Sequence, residues 1–353
     1  MKTKIYTYID QDLIKLWEKL WETSPIANYT NGPQWFLSVL ETFNYKEYAL
    51  IALFEKEELV GIVALFKGKQ FGVPVYAPLP SDYICGIPLL VNTSKNKHIK
   101  ELLNAMQTLG TCYFDNIPED FMNLVIKNSS TATTTEAAVN HFLFFSYDAD
   151  RKLIFPNRKK LLRNIRHNPE SFTLNTFDGT QKKGLEIVFH IDKQSRKQGR
   201  GYSTFANEKI RKFYILLTQH FGKYLKINIL YFGKTPIAYE LGFHIGTTYY
   251  GTQIAFIGEY RQYAPGKVLS VKLLEYLSSL NIKKFDFGSG DSHLKRMLTD
   301  QNQKLYQIVL SQQYTTRIYL KAVKETKASL YETMQKHMYL YKVYRNMVKI
   351  IIR

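Results

Sequence analysis

Only two cysteines, Cys85 and Cys112, occur in the chain, too few for a disulfide framework or a four-ligand zinc site. There is no Cys-x-x-Cys, no His-Glu-x-x-His and no Gly-x-Ser-x-Gly, so metal and serine-hydrolase chemistry lack support and no metal is expected. Gly72, Gly86 and Gly110 form no phosphate loop. No stretch approaches the ~20 apolar residues that a membrane-spanning helix needs. Behind the basic start, Asp10 and Asp12 interrupt before an apolar segment can form, which argues against a secretory signal. A cytoplasmic, reduced setting is the expectation. Acidic residues are scarce as well: 30 Asp and Glu against 48 Lys and Arg leave a formal net charge of +18. Such a field favours nucleotides, phosphate-bearing cofactors, acidic lipids or nucleic acid, without choosing among them.

What is present suits two globular units, because 353 residues exceed what one small core organises. The 26 Tyr and 22 Phe can line cores and clefts with rings. Leu13, Leu16, Trp17, Leu20 and Trp21 recur at helical spacing and predict a helix over 10–21. Gly32-Pro33 opens another over 34–43, and 49–54 with 59–66 reads as a hairpin. The Pro-broken stretch 71–80 is excluded as a regular central strand. A helix over 97–109 and strands over 111–116 and 141–148 follow, with the Ser/Thr-rich 128–138 expected to be an exposed loop. No internal repeat is visible in the letters. The chain divides into 1–150, 151–313 and a basic, Tyr-rich helical segment, 314–353. The second unit reads as a basic helix (156–168), a strand (172–177), helices (184–198 and 209–222) and three strands (225–232, 236–244, 247–257). A strongly patterned helix from Ala264, a strand (284–287), a short helix to Leu298 and a strand (304–311) closing the sheet complete it.

The helix opening at Arg261-Gln-Tyr-Ala-Pro-Gly-Lys267 carries the first chemical signal. Pro265 at a first turn costs no hydrogen bond, Gly266 lets backbone approach a ligand, and Lys267 adds charge. Free N–H groups and the helix dipole favour an anion there. An ordinary helix start with a Pro-Gly turn has the same letters. More specific is the run Ile254-Ala-Phe-Ile-Gly-Glu-Tyr-Arg-Gln-Tyr-Ala-Pro-Gly-Lys-Val-Leu269, followed by Phe285-Asp-Phe-Gly-Ser-Gly-Asp-Ser-His-Leu-Lys295. Together they resemble the signature of CelD-like acyltransferases of the GNAT superfamily, related in architecture to the FemAB aminoacyl transferases. Tyr263, Pro265, Gly266, Asp286, Gly288, Gly290, Asp291 and Lys295 match the pattern. Arg158 to Arg166 resembles the family's Arg-Asn-rich segment, and Asn31 to Phe43 and Ser81-Asp82-Tyr83 are similar to further features. One departure is Ser195-Arg196-Lys197, with Arg196 where the family shows Trp.

The resemblance implies an α/β (α+β) fold of two tandem GNAT-like lobes, each a mixed, mostly antiparallel sheet flanked by helices. It implies acyl-CoA, acetyl-CoA above all, as donor: its pantetheine pairs against a splayed central strand and its pyrophosphate meets the helix start. Ile254, Ala255, Phe256, Arg261, Tyr263, Gly266 and Lys267 are the implied donor contacts. Asp82, Tyr83, Arg163, Arg196 and Asp291 are the implied acceptor contacts, and Lys295 would touch the acceptor's phosphate or the reacting carbonyl. The acceptor would be an amino group of a sugar, nucleotide sugar or cell-surface polysaccharide precursor.

Read from the residues alone, Asp291 sits at a helix N-cap, and Lys295, one turn on, either points back to the strand end or is solvated. Asp286 alternates with Phe285 and Phe287, which fits a buried, hydrogen-bonded carboxylate as well as a catalytic one. Glu240, His244 and Asp286 are candidate bases for direct transfer to an amine. Glu240 stands mid-strand among apolar neighbours, where burial raises a carboxyl pKa. His190 reads as a helix-face histidine. The segment 314–353 is either a basic helix on anionic lipid, peripheral to the inner face of the membrane, or a terminal helix docked on the lobes. No specific nucleic acid is expected. A FemAB-like, aminoacyl-tRNA-dependent transferase for peptide bridges and a non-catalytic GNAT-fold scaffold are the rival readings.

Overall fold

Caps and alternation set the elements of the first half. The computed structural model describes residues 1–78, 87–92, 96–149, 152–158, 160–161, 172–199 and 203–336. β1 (Lys2–Tyr6) pairs antiparallel with β2 (Tyr48–Glu55), which turns through Lys56 and Glu57, both at positive φ, into β3 (Glu58–Gln70). Between β1 and β2 lie α1 (Gln11–Thr23), capped by the Asp10 carboxylate accepting from Asp12 and Leu13 N–H, and α2 (Pro33–Phe43). β4 (Val73–Ala77), β5 (Leu89–Val91), α3 (Asn96–Leu109), β6 (Cys112–Pro118), α4 (Glu119–Asn128) and β7 (Ala132–Phe144) complete this half.

A two-stranded ladder, β8 (Ser146–Tyr147) with β9 (Leu153–Ile154), leads into the second half. There follow β10 (Phe172–Asp178), α5 (Lys182–Lys193), α6 (Arg196–Gly199), α7 (Glu208–Phe221), β11 (Leu225–Phe232), β12 (Thr235–Ile245) and β13 (Thr248–Phe256). Then come α8 (Pro265–Ser278), β14 (Lys284–Ser289), α9 (His293–Leu298), β15 (Asn302–Leu310) and α10 (Tyr314–Lys336).

The main sheet has the order β1-β2-β3-β4-β6-β15-β7-β14-β13-β12-β11-β10, with β5 added on β3. That order is a palindrome: β1 to β4 and β6 answer to β10 to β13 and β14. The last strands are exchanged, for β15 lies between β6 and β7, and β7 lies between β15 and β14. The repeat absent from the letters is therefore present in the topology. One trace survives in sequence: Phe114-Asp115 on β6 and Phe285-Asp286 on β14 are each followed within two residues by a positive φ, at Asn116 and Gly288. The largest core joins the halves, with Trp17, Trp21, Trp35 and Phe36 packed in one cluster with Phe213, Tyr239 and Phe243.

Two sequence expectations are corrected, while the exclusion of a regular central strand at the Pro-broken stretch holds: Val73–Ala77 forms β4, whose ladder toward β6 is the single pair Tyr76↔Cys112. Along most of its length β4 is thus edge-like, the setting in which Pro is tolerated. The expected Ser/Thr loop is instead β7, in the middle of the sheet and paired on both sides. Its threonines are β-branched and suit a strand whatever their polarity. The strand expected to close the sheet, β15, lies inside it because the halves exchange their last strands. At the C-terminus, Leu320 of α10 is fully buried with Val75, Tyr113 and Val309. Lys324 Nζ pairs with Asp115 Oδ2 at 2.7 Å, so this part of the helix docks on the sheet. Glu325 to Leu330 are exposed. Most of the predicted basic helix over 156–168 lies outside the described residues.

Candidate active site

β13 and β14 are parallel neighbours connected through α8, and their ladder has only three pairs: Thr248↔Lys284, Tyr249↔Phe285 and Tyr250↔Asp286. Beyond these pairs the strands part. β13 continues along β12, with Ala255 opposite Tyr239, whereas β14 turns at Gly288 (φ 73) and meets β7 at Ser289↔Asn140. The wedge between them opens into a cavity of about 280 Å³. Its walls are Gly251 to Ile254 of β13, Phe285 and Phe287 to Ser289 of β14, and Leu269, Ser270 and Leu273 of α8. Tyr29 and Trp35 from the first half close it together with Tyr214 and Phe243. The β12–β13 register shifts so that Leu241 faces Gln253 and Gly242 faces Gly251. Thr252 is the extra, bulged residue, and its hydroxyl donates to the Leu241 carbonyl at 2.9 Å. A bulge takes its extra residue out of the ladder beside the cavity.

Glu240 on β12 reaches this cavity from the sheet, 5% exposed. Its Oε2 accepts from Asn228 Nδ2 at 2.7 Å and from the Tyr249 hydroxyl at 2.6 Å. The Thr176 hydroxyl in turn donates to Asn228 Oδ1 at 2.9 Å. Oε1 is buried with no hydrogen-bond partner among the described residues. Burial pushes the Glu240 carboxyl up to about 8, opposed by the hydrogen bonds from Tyr249 and Asn228. Burial also holds the Tyr249 phenol well above its usual range, with the Glu240 charge adding to it. Gly251 leaves the window to Oε1 open: a Cβ there would lie 3.0 Å from Glu240 Oε1 and 3.0 Å from the Phe285 ring.

Lys197 of α6 lines the same cavity. Burial pulls its ammonium below the usual lysine range, and the Asp192 charge opposes that pull. Asp192 is itself engaged, accepting from the Tyr239 hydroxyl at 2.8 Å, from Phe205 N–H at 3.2 Å and from the Ser203 hydroxyl. Among the described residues no hydrogen bond or ion pair holds the Lys197 ammonium. Ser195 bridges to Ile257, and Gly258 N–H donates to the Gln194 carbonyl at 3.2 Å, which pins α6 to the end of β13. The first-half wall is built by asparagines. Asn31 and Asn28 carbonyls accept from the Trp17 and Trp21 indoles at 3.0 and 2.8 Å, and Asn28 N–H donates to Asn31 Oδ1 at 2.9 Å. This fixes Tyr29, which stacks on Phe243 with centroids 4.8 Å apart.

The residues singled out from sequence separate into groups. Lys295 does point back to the strand end and lines the cavity, and its Nζ donates to the Gly288, Ser289 and Gly290 carbonyls at 2.8 Å each. It ties down the turn that parts β14 from β13. Asp286 is buried and hydrogen-bonded: it accepts from Gly288 N–H at 2.9 Å and Asn140 Nδ2 at 3.0 Å. Asp291 is not the cap of α9. Ser292 is, accepting from Lys295 N–H at 3.3 Å, because the chain leaves Gly290 one residue later than a cap at 291 requires. Asp291 instead pairs with His141 at 3.0 Å and with Arg296. His190 meets Gln194 on its own helix, and His244, lowered mainly by burial, is outside the cavity lining.

Ile254 lines the cavity, with Ala255 and Phe256 next along β13. Arg261 and Tyr263 lie in the 3-10 turn Gly258–Tyr263, where Arg261 is exposed and Tyr263 stacks on Phe232 at 4.7 Å. Ala264 (φ 51) is the N-cap of α8 and offers no side-chain hydrogen bond to the first turn. At Gly266 a Cβ would meet only Phe256, at 3.8 Å, and Lys267 is half-buried. Asp82, Tyr83 and Arg163 lie outside the described residues, as does the side chain of Arg196. Sequence reasoning missed Lys197, Tyr29, Trp35 and Gly251 as cavity residues. The departure at 195–197 was the one signal that pointed near Lys197. No group of three His, Cys, Asp or Glu that could hold a metal ion occurs among the described residues, nor is any described helix long and apolar enough to cross a membrane.

Order of elements and splayed strands give a mixed α/β fold, one large sheet of palindromic strand order flanked by helices. Residues 157–296 match the family described as Acetyltransferase (GNAT) domain, so the acetyltransferase likeness lies in the second half of the chain. No curated protein matches the chain in sequence. Among solved structures, the C-terminal domain of a putative lysylphosphatidylglycerol synthetase from Agrobacterium fabrum is similar, at 9% identity, TM-score 0.57, over 88% of this chain and 95% of that one. FemX is similar at 11% identity and TM-score 0.57, over 91% and 93%. L-PGS from Bacillus licheniformis is similar at 12% identity and TM-score 0.56, over 90% and 96%. At such identities the likeness is one of fold, and the narrower CelD-like branch is not distinguished by it.

Proposed function

We propose that the protein transfers an acyl group, acetyl in the simplest case, from acyl-CoA to the amino group of a small acceptor. The observation carrying this reading is the parting of β13 from β14 beside a cavity that a buried carboxylate lines, Glu240, one of whose oxygens has no hydrogen bond among the described residues. Pantetheine would lie along Ile254 to Phe256 where β14 no longer pairs. The pyrophosphate would meet the start of α8, where Gly266 leaves room and Arg261, Tyr263 and Lys267 stand near. The acceptor would occupy the cavity floor. An ammonium arriving at Oε1 lowers the Glu240 pKa, so the carboxylate can take the proton that makes the amine nucleophilic. The amine nitrogen then forms its bond to the thioester carbonyl carbon as the carbon–sulfur bond breaks. A backbone N–H at the Thr252 bulge would polarise the carbonyl oxygen, and the second proton of the nitrogen passes to the departing sulfur, so that CoA leaves as the thiol. Lys295 and Asp286 act on this reading by holding the β14 turn, and Asp291 through its pair with His141. The acceptor class suggested by sequence, an amino sugar or nucleotide-linked precursor, fits a polar cleft beside aromatic rings.

The test is release of free thiol from acetyl-CoA with a panel of amines, with the product mass measured. Wild type should release thiol in step with a product 42 Da heavier, a mass gain set by acetylation itself. Gly251→Ala should cut the rate by about tenfold or more, because overpacking of this kind costs about 1–3 kcal/mol. Absence of turnover with every amine, with acetyl-CoA bound, would remove the acetyl donor. A second reading is aminoacyl transfer from a charged tRNA, supported by the +18 charge and by the names of the lysylphosphatidylglycerol synthetase neighbours. Retention of tRNA on the purified protein would favour it.

A further inference from the structure

Two cavity groups are not used by neighbouring side chains, and they want opposite partners. Glu240 Oε1 is buried without a hydrogen bond among the described residues and looks through the window left by Gly251. The Lys197 ammonium lines the same cavity without a hydrogen bond or ion pair among the described residues. The other cavity cation, Lys295, already donates to three carbonyls. A buried, unpaired charge of either sign is costly, and a ligand supplying the complement removes that cost. At about 280 Å³ the cavity sits at the small end of ligand pockets, which run ~300–1,000 Å³. We infer that this cavity takes a small acceptor bearing both a primary amine and an anionic group, the amine against Glu240 Oε1 and the anion against Lys197.

The shared chemistry is amine plus anion, and a carboxylate of an amino acid and a phosphate of an amino sugar are its two sources. The inference deepens the acyl-transfer reading and rests on it only in calling the bound molecule an acceptor. Burial of both groups agrees with it: it shifts the carboxyl up and the ammonium down, and the Asp192 charge offsets the second shift only in part. The aromatic wall of Tyr29, Trp35 and Phe243 covers the apolar part of either molecule.

The experiment is calorimetric binding to the full chain without donor, using pairs that differ in the anion alone: lysine against cadaverine, and glucosamine 6-phosphate against glucosamine. In wild type the anionic member of at least one pair should bind about tenfold or more tightly, the gain typical of a charged hydrogen bond. The pair that discriminates identifies carboxylate or phosphate. In Lys197→Met the advantage should fall to about twofold or less, and Lys197→Arg should retain most of it. Glu240→Gln should weaken both members of a pair alike. If Lys197→Met fails to fold by circular dichroism, Lys197→Gln is read in its place. Equal binding within both pairs in wild type, or an advantage that survives removal of the Lys197 charge, overturns the inference. Acetyl-CoA titrated alone into the same preparations keeps the two proposals apart: no heat would remove the CoA donor while leaving the amine ranking intact.

Discussion

At the scale of single residues the account turns on Glu240. Its carboxyl is raised from 4.5 to about 8 by burial, so the folded state keeps a proton that the unfolded chain gives up above its ordinary pKa. The sign follows: the stability that this group contributes is greatest at or below pH 4.5, falls as pH rises toward about 8, and levels off beyond. Glu240→Gln removes this dependence, because an amide has no proton to lose. Urea unfolding at pH 5 and pH 8 should show the wild type losing on the order of a few kcal/mol more than Glu240→Gln across that interval. The same substitution should lower kcat by about a hundredfold or more, the usual worth of a positioned base. Wild-type activity should rise with pH through the Glu240 transition, and Glu240→Gln should abolish that limb. Glu240 was legible in the letters, since Tyr239 and Leu241 flank it on a strand and burial follows. Lys197 was not, because nothing at 195–199 announces that α6 is pinned over a cavity by the Ser195–Ile257 bridge.

Among the elements, α8 and its entry turn deserve a direct stability measurement. Ala264 adopts φ 51 at the N-cap, a left-handed conformation that costs a non-glycine residue roughly 1–2 kcal/mol. Ala264→Gly should therefore stabilise the protein by about 1 kcal/mol, less the added freedom of glycine in the unfolded chain; denaturant midpoints check this. Unchanged or reduced stability would mean that the turn is not strained. Elements with strong local patterns were readable. Alternation marks β11 to β13, and Pro265-Gly266 marks the start of α8. β7 was misread because Thr133, Thr134 and Thr135 carry hydroxyls, and composition suggested a loop where β-branching and two hydrogen-bonded neighbours make a strand. The prolines were the readable signal before β5, since Pro excludes a fully paired strand and β4 is only partly paired.

For the whole molecule, the exchange of β7 and β15 makes the halves interdependent. Residues 1–150 alone would lose β15 from between β6 and β7 and expose the core shared by Trp35 and Phe213. That fragment is expected to lack a cooperative unfolding transition by circular dichroism and to regain one when co-expressed with 151–353. No local pattern could reveal this, because strand exchange and the Tyr29–Phe243 stack join residues far apart in the chain, such as Phe144 with Lys284 and Cys112 with Leu310. The splay of β13 from β14 likewise depends on β14 being recruited by β7 of the other half. The central claim is that this splay and the start of α8 hold an acyl donor, and calorimetric titration with acetyl-CoA of wild type and Gly266→Trp tests it most directly. The account predicts a Kd in the range of about 1 μM to 1 mM, usual for enzyme substrates, with binding lost in a folded Gly266→Trp. No heat in the wild type, or equal affinity in the two proteins, would contradict it.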